Sequence, residues 1–104
     1  MIIIPLNPIY QVFSATASAD TQFNLTSIDV WMKEVDIFIY TNDADVGNID
    51  NQSLYVAAND VYTIKGIVNI REIYFKNHTA GNNTSVAVAG VTLSDFEKKQ
   101  AGIG

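Results

Sequence analysis

The chain has 104 residues, no cysteine, and a formal net charge of −5 from eleven acidic and six basic side chains. A chain of this length is one domain, and the lack of cysteine excludes disulfides, thiolate metal ligands and a cysteine nucleophile. The acidic charge would repel a phosphate backbone, and no basic amphipathic stretch or long apolar run suits a membrane, so we expect no nucleic-acid partner and no membrane association.

The chain begins with an uncharged apolar segment, residues 1–9, which is interrupted by Pro5 and Pro8. Each proline lacks a backbone N–H and fixes φ, so the segment is a poor helix and a poor central strand. We predict an extended arm that docks in a groove, more typically on a neighbouring chain than on its own domain. Its predicted partner-binding residues, whose burial would contribute roughly 2 kcal/mol each before ordering costs, are Ile2, Ile3, Ile4, Leu6 and Ile9.

A signal peptide is the alternative interpretation of this start. Ala15-Thr16-Ala17 resembles a small-residue cleavage site that follows an apolar stretch. Against it, no Lys or Arg precedes the apolar run, and the two prolines interrupt a run that is already too short for a signal sequence. We therefore treat the arm as part of the mature protein.

Between positions 10 and 92 the chain alternates apolar and polar residues with a period of two, in short runs rich in Val, Ile, Thr and aromatic residues. This alternation is typical of strands that bury one face. We predict strands at 10–15, 28–33, 35–40, 53–57, 61–64, 72–76 and 86–89, with a shorter one around Phe23 and Leu25. The alternation also places six side chains on inner faces, which are Ile37, Ile39, Ile73, Phe75, Val86 and Val88.

Turn-forming residues separate these runs. We predict a long polar loop at 41–51, a tight turn at 58–60 and a second loop at 77–83, and we expect Lys65-Gly66 to end a strand. Short strands with turns at this spacing are typical of all-β folds. We therefore predict a single antiparallel β-sandwich, jelly-roll-like, over residues 10–92, preceded by the arm at 1–9.

The last segment, residues 93–104, has a different pattern. Ser94 and Glu97 have the spacing of a capping box, and Lys98 and Lys99 follow where cations suit the helix dipole. The pattern predicts one short helix over 95–100. A helix this short is marginal alone and must pack on something, and Phe96 is the expected contact. Phe96 joins the arm residues as a predicted partner-binding side chain.

Candidate catalytic groups are few, and we predict no catalytic residue. The only histidine, His78, lies in a polar loop, where a lone histidine is expected to be solvated. One histidine and no cysteine nearly exclude zinc. A glycosidase would need two carboxylates on rigid cleft walls with separated pKa values, and the sequence places no such pair.

An alternative for the loop at 41–51 is calcium binding, because Asp43, Asp45 and Asp50 form an oxygen-rich cluster with several asparagines. The spacing does not match an EF-hand, since Gly47 and Leu54 stand where acidic ligands are required. We favour a solvated turn in which Asx side chains bond their own backbone. We therefore predict no metal and no cofactor.

Four short motifs carry a family resemblance. A strand at 35–41 leads into NDADVG at 42–47, and later come LYVAAND at 54–60, IYFKN at 73–77 and, after Gly81, VAVAG at 86–90. These motifs resemble the small β-sandwich virion proteins of tailed bacteriophages, the type found as capsid decoration proteins or as capsid-anchoring parts of head fibres. The likeness covers roughly residues 10–92, with Asn59-Asp60 where the family often has Pro-Gly.

The resemblance implies a non-enzymatic viral structural protein that is located in the virion. Its partner would be the major capsid protein or another virion protein, and homo-oligomers, a trimer among them, would fit the symmetry of a shell. The arm would bind the capsid lattice. The alternative is a carbohydrate- or receptor-binding β-sandwich module, in which exposed aromatic residues form a face for sugar stacking: Trp31, Phe38, Tyr40, Tyr55, Tyr62 and Tyr74.

Overall fold

The computed structural model describes residues 10–17 and 20–103, so the predicted arm lies outside the described residues. The described chain is mostly β-structure, as the alternation predicts. Its strands are β1 (Tyr10–Ala17), β2 (Trp31–Tyr40), β3 (Ala44–Gly47), β4 (Leu54–Val56), β5 (Val61–Asn69), β6 (Tyr74–Asn77) and β7 (Thr84–Thr92). A 3-10 turn spans Ile70–Glu72, and one α-helix, α1, spans Asp95–Gln100.

The strands form two antiparallel sheets, which gives the predicted all-β, sandwich-like fold. The large sheet has the order β1-β7-β2-β5, and the small sheet has the order β4-β3-β6. From β2 onward, only the β3–β4 connection stays within one sheet, and every other connection crosses to the opposite sheet. Repeated crossing ties the two sheets together and encloses one core between them.

The core consists of the inward-facing side chains of both sheets. All six side chains that the alternation assigns to inner faces are buried, and Phe75 packs its ring 5.6 Å from that of Phe23. Buried polar atoms in the described residues all have hydrogen-bond partners. The core cluster comprises Met32, Val35, Ile37, Ile39, Ala44, Val46, Val56, Ile70, Ile73, Phe75, Val86 and Val88.

Two of the predicted breaks between strands are absent from the structure, and both errors have one cause. The strands predicted at 28–33 and 35–40 form the single strand β2, and β5 continues through Gly66 instead of ending there. The pairing shifts between Lys33 and Val35, where Glu34 adopts φ 50° and Gly66 on the partner strand adopts φ 101°. A β-bulge at this point changes the phase of the alternation while the pairing continues, so the sequence pattern breaks and the strand does not.

The predicted loop at 41–51 contains a strand. Residues Ala44–Gly47 form β3, the central strand of the small sheet, and both Ala44 and Val46 are buried. Asn and Asp residues on both sides of this four-residue strand give the segment the composition of a loop, so the sequence pattern does not predict the strand. A side chain at Gly47 would overlap the carbonyl group of Asn51, so glycine lets the turn after β3 fold back against it. Conversely, the strand predicted around Phe23 is only an isolated bridge to Phe75.

The helix prediction is correct in its bounds and in its cap. The Ser94 Oγ accepts a hydrogen bond from the Glu97 N–H (3.1 Å), and the Glu97 Oε1 accepts one from the Ser94 N–H (3.1 Å). The predicted packing contact is wrong, because Phe96 is 54% exposed. The helix is held instead by the buried Leu93 before it and by an ion pair from Lys33 Nζ to Glu97 Oε2 (2.6 Å).

Candidate functional site

The side of the large sheet that faces away from the core, the outer face, is the first candidate surface. Strand register arranges its side chains in rows across the sheet. The rows contain Val91, Lys33 and Ile67; then Ala89, Asp36 and Thr63; then Ser14, Ala87, Phe38 and Val61; and then Thr16, Ser85 and Tyr40.

The outer face carries little charge for a surface that the second sheet does not cover. In an antiparallel sheet with one solvent-exposed face, the residues on that face are normally polar and alternate with the buried apolar ones. Here β7 contributes Ser85, Ala87, Ala89 and Val91 to it, with no charged residue, although Ala87 and Ala89 are themselves buried. Val61 (54%) and Ile67 (49%) on β5 are exposed large apolar side chains. A sheet face of this composition is typical of a surface that binds another protein.

Lys33, Glu34 and Asp36 border one depression on the outer face, and Glu34 is exposed there. The Asp36 Oδ1 accepts a hydrogen bond from the Thr63 hydroxyl (2.6 Å), and Lys33 pairs with Glu97 as described above. Lys33 is thus paired with an opposite charge, whereas Asp36 is hydrogen-bonded to a neutral hydroxyl and keeps its charge. A partner that covered this face would have to desolvate or pair the charges of Asp36 and Glu34.

Of the predicted partner-binding residues, Phe96 is exposed and the five arm residues lie outside the described chain. The arm enters the large sheet at Tyr10, which pairs with Val91. The helix with Phe96 leaves the same end of the sheet shortly afterwards, because the Leu93 N–H donates to the Trp31 carbonyl (3.0 Å). Ile67 and α1 border a common depression of about 280 Å³ there. The fold thus places the entry of the arm, Phe96 and the first row of the outer face at one end.

A second candidate is a polar cluster on the small sheet. The Tyr55 hydroxyl donates to Asp43 Oδ2 (2.7 Å), and the Ala58 N–H donates to Asp43 Oδ1 (2.8 Å). His78 Nδ1 lies 2.7 Å from Asp45 Oδ1, and its ring centroid is 4.5 Å from that of Tyr55. His78, which was expected to be solvated in a loop, is therefore hydrogen-bonded although it stays partly exposed.

The electrostatics of this cluster follow from its hydrogen bonds. The Tyr55 hydroxyl, followed by the Ala58 N–H, lowers the pKa of Asp43 because both donate to the ionised carboxylate. The same bond to Asp43 raises the pKa of the Tyr55 hydroxyl. The Asp43 carboxylate thus binds Tyr55 on β4 and the backbone of Ala58, and the Asp45 carboxylate binds His78 in the 77–83 loop. These hydrogen bonds connect β3 and the residue before it to β4, to the turn after β4 and to the 77–83 loop.

No metal centre is formed by the described residues, since they contain no group of three or more His, Asp or Glu side chains placed to hold an ion. The carboxylate of Asp43 is occupied by Tyr55 and Ala58, and Asp50 lies in a separate turn. In that turn Asn48 Oδ1 accepts hydrogen bonds from the backbone N–H groups of Asp50 and Asn51 (2.9 Å each). This is the Asx bonding that the sequence favours for the loop.

A third candidate is an open groove of about 610 Å³ beside the small sheet. Its lining comes from three separate stretches of chain, which are residues 24–27, the turn at 48–50 and the stretch at 71–74. The sequence has no signal for this groove, because no local motif connects these stretches. The outer face could have been predicted from the sequence, because the residues of β7 that alternate with the buried Val86 and Val88 include no charged residue.

The aromatic residues proposed for sugar stacking do not share one face. On β2, three of them lie at positions turned away from the core: Trp31, Phe38 and Tyr40. Tyr55 and Tyr74 lie on the small sheet, and Tyr62 borders a different depression together with Leu54. Among the six, Tyr74 lines the groove.

No helix in the described part of the chain has the length and apolar character needed to cross a membrane. Comparison with protein-family models, with curated proteins and with solved structures gives no match.

Proposed function

We propose that this protein is a non-enzymatic structural component of a virus particle that binds a protein lattice. In this proposal the outer face and the arm together form the binding surface, and the partner is a capsid or other virion protein. The observation that carries the proposal is the outward side of β7, which has no charged residue, together with the exposed Val61 and Ile67 on β5 of the same sheet. The virion setting rests on the sequence resemblance, whose motifs fall on or next to β3, β4, β6 and β7.

The composition of the arm supports the same proposal, because an uncharged apolar segment precedes the edge strand β1. Phe96 adds a second exposed apolar side chain, on the helix that borders Ile67 of the other edge strand, β5. Interfaces of this kind gain affinity from a few buried apolar or aromatic anchors within a polar rim. Self-association of the protein through the same surface would produce the closed oligomers that shells accommodate.

The test introduces charge into the outer face. Val61→Lys and Ile67→Lys keep the long side chains exposed in the monomer, so both variants should fold, and either charge would be desolvated in an interface. We expect each variant, and deletion of residues 2–9, to weaken co-sedimentation with shell particles that lack the protein by at least about tenfold, which corresponds to about 1.4 kcal/mol.

Ile28→Lys is the matched control, because Ile28 is exposed but lies outside both sheets. It should bind as the unchanged protein does. Circular dichroism establishes that all variants are folded. Full binding by both outer-face variants and by the truncated chain would overturn the proposal.

A further inference from the structure

The groove beside the small sheet has rigid walls. The buried Asn69 accepts hydrogen bonds at Oδ1 from the backbone N–H groups of Val30 (3.1 Å) and Arg71 (3.2 Å) and donates from Nδ2 to Asp29 (2.9 Å). Asn24 Nδ2 donates to the carbonyl oxygen of Arg71 (2.8 Å). These bonds join the loop before β2 to the 3-10 turn, so the groove is held open without a ligand.

The wall of the groove that the turn at 48–50 forms depends on Gly47. The absence of a side chain there lets the turn at 48–51 approach β3, as described above, and the Asx bonds of Asn48 fix the turn. Ile49 and Asp50 are thereby brought to the same groove as Tyr74, which pairs with Gly47 across the strands.

Several polar groups in the groove have no protein partner. Within the described residues, the carboxylates of Asp50 and Glu72 and the hydroxyls of Ser27 and Tyr74 make no hydrogen bond. Arg71 donates one Nη2–H to Asp29 Oδ1 (2.8 Å), which leaves further N–H donors of the guanidinium available. The groove thus offers acceptors and donors together, beside the Tyr74 ring and the exposed Ile49.

We propose that this groove binds a neutral sugar. A sugar carries several hydroxyls that each donate once and accept, so different hydroxyls can donate to the two carboxylates and accept from the guanidinium, whereas an ammonium group only donates. The two unpaired carboxylates disfavour phosphate, sulfate and acidic sugars. The ring of Tyr74 and the side chain of Ile49 supply apolar surface for the C–H face of a pyranose. The volume lies within the range of small-molecule sites.

The site is independent of the proposed lattice binding, because it belongs to the small sheet and the outer face belongs to the large one. Failure of either proposal leaves the other standing. The affinity expected for one sugar unit in an open groove is a Kd of about 1 mM.

The test is an NMR titration of isotope-labelled full-length protein with glucose, galactose, mannose and N-acetylglucosamine in turn, each to about ten times the expected Kd. We expect at least one sugar to shift the backbone amide signals of Asn24, Arg71 and Tyr74. Asp50→Asn and Glu72→Gln preserve the shape of the groove and remove a charged acceptor, so each should weaken that sugar's binding by about tenfold. Asp60→Asn, an exposed carboxylate outside the groove, is the control and should bind unchanged.

Two outcomes would overturn the proposal. The first is an absence of shifts with all four sugars, and shifts at the groove produced by putrescine in that case would identify a site for amines. The second is sugar binding that both groove variants retain.

Discussion

Two isoleucines show how strongly the position of a residue decides its contribution. Ile39 on β2 is fully buried, whereas Ile28, before the strand begins, is 66% exposed. Removing buried methyl and methylene groups costs their transfer free energy and leaves a cavity, while truncation at the surface costs little. Ile39 is also one of the six residues that the alternation correctly assigns to the core.

We expect Ile39→Ala to lower the free energy of unfolding by about 2–5 kcal/mol and Ile28→Ala to change it by less than about 0.5 kcal/mol. Urea denaturation followed by circular dichroism measures both values under the same conditions. Equal stability of the two variants would mean that the register of β2 is not the one described.

The carboxylate of Asp43 makes stability depend on pH. Its pKa lies below the ordinary 3.8 because the Tyr55 hydroxyl and the Ala58 N–H donate to it. A carboxylate whose pKa is lower in the folded state stabilises the fold above the unfolded pKa, and this contribution is lost as the pH falls through the folded pKa.

Tyr55→Phe removes the larger of these causes, so the pKa of Asp43 should rise toward its ordinary value. The loss of stability from pH 5 downward, roughly over pH 5 to 2, should therefore be smaller in the variant than in the unchanged protein. Tyr40→Phe is the control, because the Tyr40 hydroxyl has no hydrogen bond to the described residues. Urea midpoints across the pH series check this, and parallel acid-side curves for all three proteins would contradict it.

At the scale of elements, α1 shows a helix whose local signals are sufficient to place it. The capping box satisfies two backbone N–H groups that would otherwise have no partner, and Lys98 and Lys99 lie at the end where cations are favourable. A helix of six residues has few other sources of stability. Its cap should therefore dominate whether the end of the chain stays ordered.

Ser94→Ala should cost about 1 kcal/mol and increase amide exchange in α1 well before it affects the sheets. Ser53→Ala, at an exposed loop position, is the matched control and should leave exchange in α1 unchanged. Hydrogen exchange measured residue by residue separates the two. Unchanged protection of α1 in Ser94→Ala would show that the Lys33–Glu97 pair and Leu93 hold the helix without the cap.

Strands proved harder to predict than the helix at the point where two of them bulge together. The alternation of β2 and β5 breaks at Glu34 and at Lys65-Gly66, and each break taken alone resembles a strand end. Only their position opposite each other shows that the ladder continues. Such irregularities are set by pairing between residues that are distant along the chain, which no local pattern records.

At the scale of the whole molecule, the two proposed surfaces belong to different sheets. The outer face lies on the large sheet, and Tyr74 in the groove lies on the small sheet. The outward sides of two sheets that pack face to face point in opposite directions. Lattice binding through one side would therefore leave the groove open on the other, and a sugar ligand would not compete with assembly.

The sequence by itself determined the all-β class, the six inward-facing core residues, the turn at 58–60 and the helix with its cap, because each depends on spacings within a few residues. Only the tertiary structure decided the strand hidden at 44–47, the continuity of β2, the pairing of Asp45 with His78 and the exposure of Phe96. The groove belongs to this second group as well, since residues 24, 50 and 72 meet there through folding alone. Local periodicity determines which face of a strand is buried, whereas contacts between distant segments depend on how the two sheets pack.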